Sequence, residues 1–147
     1  MSECRRQQWQ ALRDYGKCLI YVHNMDGDVA QKLYDNTSDK LTVYKCAVSD
    51  DGGNIYVTDR SHNRIISLDN QGNQLVATLT DDVIQRPAGV HVTPYGHVFV
   101  VCFENRRILQ ISQDGGSVLT SLAQNVHAVN GPRCVLFHQL NERLLVC

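Results

Sequence analysis

The chain has 147 residues, a net charge of −1 and a pI near 6.6, with 43% apolar and 20% charged residues. This is the composition of an ordered globular domain, and the balanced charge excludes a global basic field for nucleic acid or an anionic membrane. No apolar run reaches the roughly 18–20 residues of a membrane span, and no apolar signal-peptide core follows the charges of the first ten residues. In chain order, residues 1–18 predict either a short amphipathic helix over Ser2–Arg13, carrying Trp9, Ala11 and Leu12, or a worn strand. The second alternative rests on Asp14, which stands 45 residues before Asp59. Strand-like runs follow at Leu19–His23 and Val29–Leu33, flanking a turn at Asn24–Gly27.

Four short β-rich runs then recur in order. The first set is Tyr44–Val48, Ile55–Thr58, Ile65–Leu68 and Gln74–Leu79, separated by SDDGG, DRSHN and DNQG. Asp, Asn and Gly end strands because they tolerate left-handed backbone or bond their own chain. The second set is Gly89–Val92, Val98–Phe103, Ile108–Ser112 and Val118–Leu122, and a third starts with Arg133–Phe137 and Arg143–Cys147. GNIYVTDRSHNRI from Gly53 returns as GHVFVVCFENRRI from Gly96, 43 residues later. Four strands in a period of about 43–46 residues predict an all-β partial β-propeller with four-stranded antiparallel blades. The expected domain is 19–147: a half blade 19–33, blades 44–79 and 88–122, and a half blade 132–147, about three blades' worth in all.

Six cysteines occur, but none in C-x-x-C spacing, and Cys46, Cys102, Cys134 and Cys147 lie in or beside apolar runs. They read as buried, reduced thiols of a cytoplasmic protein rather than a disulfide framework or a zinc site.

The repeated segment resembles the NHL repeat, in which a glycine and an apolar strand precede Asp, two variable residues, Asn-His-Arg-Ile, another strand and glycine. Asp59, Arg64, Ile65 and Gly72 fit that pattern, with His62-Asn63 inverted against it. In the second copy Asn105, Arg107, Ile108 and Gly115 fit, while Cys102 and Arg106 replace the aspartate and histidine. The family's Pro-x-Gly-Val lead appears as Pro87-Ala88-Gly89-Val90 and, degraded, as Pro132-Arg133-Cys134-Val135. The resemblance implies the C-terminal propeller of a tripartite-motif protein, recognising protein or RNA partners of a ubiquitin ligase. The chain carries no Cys/His ligand series or heptads, so ligase activity itself has no place on these residues.

With strands named a to d in each blade, the b–c and d–a loops share one face. That face carries the candidate binding residues Arg60, His62, Asn63, Arg86, Phe103, Asn105, Arg106, His127 and Asn130. Arginine, imidazole, amide and aromatic groups suit a protein interface, and equally phosphate neutralisation and base stacking in single-stranded RNA. Asp59 with Asn63 and Arg64 reads as a clasp of the turn, and Arg64 and Arg107 as braces between blades. Related six-bladed lactonases and lyases need metal ligands converging on the channel, but matched innermost positions here offer Ala47, His91 and Leu136. The expectation is a non-catalytic protein-binding module without metal or cofactor, the alternative an RNA-binding regulator, and the distant alternative a metal-dependent lactonase- or lyase-like propeller enzyme; DNA and membrane partners are not expected. Three blades are too few to close a ring of the usual four to eight. The expectation is therefore a part of a longer chain, or a homodimer whose two copies complete six blades.

Overall fold

In the computed structural model, described over residues 8–14, 17–23, 26, 29–36, 43–69, 75–124 and 131–147, each turn signal ends a strand. The first sheet is β1 (Gln8–Asp14), β2 (Lys17–His23) and β3 (Val29–Asn36). The second is β4 (Val43–Val48), β5 (Asn54–Asp59), β6 (Arg64–Asp69) and β7 (Leu75–Thr80). The third is β8 (Pro87–Val92), β9 (Val98–Cys102), β10 (Arg107–Ile111) and β11 (Val118–Ala123). The last holds β12 (Val135–His138) and β13 (Arg143–Val146). Every sheet is an antiparallel meander in sequence order, and the described residues contain no helix.

Two expectations change. Gln8–Asp14 is a strand paired along seven residues with β2, so the helical alternative for residues 1–18 gives way. A dozen residues make a marginal helix in water, whereas the ladder to β2 satisfies the same backbone groups. The first sheet accordingly holds three strands from residue 8 to 36, not the two expected over 19–33. In addition, Cys134 and Cys147 are joined by a disulfide rather than reduced. They exchange both backbone hydrogen bonds at the open end of the β12–β13 hairpin, 5.3 Å apart at Cα, a separation that disulfides span. Cys46 and Cys102 are free, and burial pushes the Cys102 thiol up to about 11.

The sheets stack face to face, so the middle strands are covered on both sides. Every residue of β9 is buried, and its pleat divides them. Val98, Val100 and Cys102 meet Tyr56, Ile65 and Leu79 of the preceding blade, while Phe99 and Val101 meet Val135 of the next. Burial on two faces is why these strands read as unbroken apolar runs instead of alternating ones. Buried polar groups tie the same seam: Thr58 Oγ1 donates to the Ala88 carbonyl at 2.8 Å, and Tyr56 Oη donates to the Gln113 carbonyl.

Candidate functional site

Antiparallel order sends the b–c loops (60–63 and 103–106) and d–a connections (81–86 and 131–134) to one face. The a–b and c–d turns go to the other. Of the seven arginines whose side chains are described, Arg60, Arg64, Arg86, Arg106, Arg107 and Arg133 belong to the first face, and Arg143 to the second.

The b–c turns hold themselves together before they offer anything to a ligand. Asp59 is fully buried and accepts from Arg64 Nε at 2.7 Å, with His62 Nδ1 3.0 Å away on the same oxygen. His62 is thus committed to the turn that it was expected to project from. Asn63 adopts φ +49°, a left-handed conformation that Asn tolerates, and its Oδ1 accepts from the Arg86 backbone N–H at 2.8 Å. One blade further on, Asn105 Nδ2 donates to the Val83 carbonyl at 2.8 Å, and the Phe103 N–H donates to the Arg86 carbonyl. Each b–c loop is clasped to a d–a connection through one end of its amide, and Asn105 Oδ1 is buried without a partner.

What remains is a cluster around one ring. Phe103 is half-buried, and the guanidiniums of Arg60, Arg86 and Arg133 lie over it with 4.8, 5.4 and 5.4 Å from carbon to centroid. Arg60 lies also over Tyr44 at 4.9 Å, and its Nε is buried without a hydrogen-bond partner. Arg86 pairs with Glu104 at 3.2 Å, both side chains about half exposed. Arg106, at φ +53°, lines a depression of about 270 Å³ with Phe103, Glu104 and Gly131. Such cation–π contacts are worth about 0.5–1 kcal/mol each where exposed. The chemistry on offer is therefore concentrated positive charge fixed against aromatic carbon, suited to an anion.

Arg60, Arg86, Phe103 and Arg106 come together, and Asn63 and Asn105 serve as their supports. His127, Asn130 and Gly72 lie outside the described residues. Ile65 and Ile108 are core, Arg107 is half-buried at the start of β10, and Gly115 takes φ +72° against Ser67. Sequence reasoning missed Tyr44 and Arg133 as members of the cluster. Their signal was positional: Tyr44 stands near the start of β4 and Arg133 two residues before β12, both on the arginine-bearing face.

The opposite face carries two acidic turns that satisfy themselves, while Asp69 Oδ1 at the end of β6 is buried without a partner. SDDGG at Ser49–Gly53 and SQDGG at Ser112–Gly116 form the same turn, one between strands a and b and one between c and d. In each, the aspartate accepts from the serine hydroxyl and from the second glycine's N–H, which hold Asp51 and Asp114 below the usual carboxylate range. At the innermost matched positions, Ala47, His91 and Leu136 pair with Tyr56, Phe99 and Leu145. Burial pulls the His91 pKa down, and among the described residues no three His, Cys, Asp or Glu side chains converge as metal ligands.

No family model and no curated protein matches the chain. Solved structures do. A chain of a nidogen/laminin complex aligns with a TM-score of 0.73 at 20% identity, covering 88% of this chain and 48% of its own length. Virginiamycin B lyase from Staphylococcus aureus gives 0.68 at 18% identity, over 96% of this chain and 52% of the lyase. Regucalcin, a calcium-binding protein from Agrobacterium tumefaciens, gives 0.58 at 17% identity, over 89% and 49%. The chain spans about half the length of the structures it matches. At such identities the likeness shows fold alone, and that fold agrees with the sheets and their stacking: the chain is a partial β-propeller.

Proposed function

We propose that the chain is a non-catalytic recognition module that binds an acidic protein segment on its arginine-bearing face, in the manner implied by its resemblance to tripartite-motif NHL propellers. The observation that carries this reading is the guanidinium cluster around Phe103. Arg and aromatic side chains are over-represented where proteins meet, and complementary charge sets the encounter rate and the register. Single-stranded RNA is less well served. Base stacking needs a free aromatic face, and the Phe103 ring is already covered by guanidiniums.

Fluorescence anisotropy with short glutamate-rich and lysine-rich peptides, in rising salt, tests the reading. Acidic peptides should bind, weaken with salt, and lose about tenfold or more in affinity to the R60Q/R86G/R106N protein. Equal binding of both peptide types, or no response to the triple substitution, would contradict it. An oligouridylate bound more tightly than any peptide would favour the RNA reading instead.

A further inference from the structure

We propose that Arg60, Arg86 and Arg133 form a subsite for a phosphoryl dianion carried on a serine or threonine of the bound protein. The inference rests on this face being the protein-binding face, and it adds the chemistry of the bound group.

A ring has two faces, so at least two of the three guanidiniums over Phe103 share one of them. Like charges gathered around one ring repel, and an anion placed among them relieves that repulsion. Glu104 pairs with Arg86, and among the described residues no ion pair to a carboxylate accompanies Arg60 or Arg133. A phosphoryl group carries close to two negative charges at neutral pH, and its oxygens match the planar forks of guanidinium. A depression lined by Phe103, Glu104, Arg106 and Gly131 opens beside the ring.

Two details point the same way. Arg60 Nε is buried with no partner, a donor of unused capacity beside the ring. Arg86 stands immediately before Pro87 at φ +49°, and the corresponding position before Pro132 is Gly131 at φ +74°. Glycine holds that left-handed position at little cost, whereas arginine holds it under strain. The backbone conformation at residue 86 gains nothing from a side chain, and what arginine adds there is its guanidinium over Phe103.

Two degenerate peptide libraries, identical except that one is phosphorylated at a central serine, would be compared by anisotropy on the wild-type protein and on R86G. R86G removes the guanidinium and relaxes the backbone, so it should melt no lower than wild type. The phosphorylated library should bind at least about tenfold tighter, falling to within about threefold in R86G. R133Q, away from the strained position, should reduce the same ratio. Equal binding of the two libraries overturns the subsite while leaving the acidic-peptide face standing. No binding by either overturns both. Inorganic phosphate binding as tightly as the phosphorylated library, or RNA binding that R86G reduces with no phosphopeptide preference, also overturns the subsite.

Discussion

Asp59 does at the residue scale what holds the whole face in place. Its carboxylate is fully buried, bonded to Arg64 and His62, and starts the turn whose Asn63 clasps Arg86. Removing one partner of a buried pair costs about 3–5 kcal/mol when both are sealed, and less here because Arg64 keeps 22% exposure. D59A should therefore lose about 2–3 kcal/mol in urea denaturation, and H62A, whose side chain is 40% exposed, less than about 1 kcal/mol. Similar losses for the two would show that the buried carboxylate does not hold the turn. The Asp59–Arg64 clasp was legible in sequence because both residues lie in one turn. The Phe103 cluster was not, because Tyr44, Arg60, Arg86 and Arg133 are brought together only by the stacking of blades. Arg60 and Phe103 themselves occupy the same b–c position in successive blades, so the repeat puts a cation where its neighbour has a ring.

Among elements, the seam between the third blade and β12 depends on Gly89. A Cβ there would stand 2.8 Å from the Cys134 Cα and 2.9 Å from the Arg133 carbonyl oxygen, so the next blade's backbone would have to retreat. This is the physical content of the glycine in Pro87-Ala88-Gly89-Val90. The motif was visible in sequence, but its reason, an approach of main chain to main chain, was not. Overpacking of this kind costs about 1–3 kcal/mol, and the strain falls on β12 and β13. G89A should speed hydrogen exchange in Val135–His138 and Arg143–Val146 while β5 and β6 keep their protection. Uniform loss across all four sheets would contradict a local seam. The strand pattern itself was readable because alternating turn chemistry marks each end. The disulfide was not, since two cysteines 13 apart become neighbours only once the hairpin register pairs them. Disulfides persist mainly in oxidising compartments; under reducing conditions the hairpin would rely on its backbone ladder alone.

For the whole molecule, stacking divides charge between two faces. On one, arginines outnumber carboxylates among the described residues; on the other, Asp51 and Asp114 are consumed by their own turns. The strand inventory also bears on assembly. β1 lies beside β4 as β5 lies beside β8, which places β1 in the b position of its blade. A ring of two copies would bring that strand into competition with β13, already the b strand of the last sheet. Two-copy closure thus requires one of them to leave, a demand that the two-strand reading of the first sheet did not contain. The proposed docking of an acidic partner on the arginine-bearing face can be followed by backbone and arginine Nε–Hε NMR shifts while a glutamate-rich peptide is added. The predicted result is perturbation confined to residues 60–64, 83–86, 103–107 and 131–134. Perturbation centred instead on the turns at 49–53, 94–97 and 112–116 would contradict it.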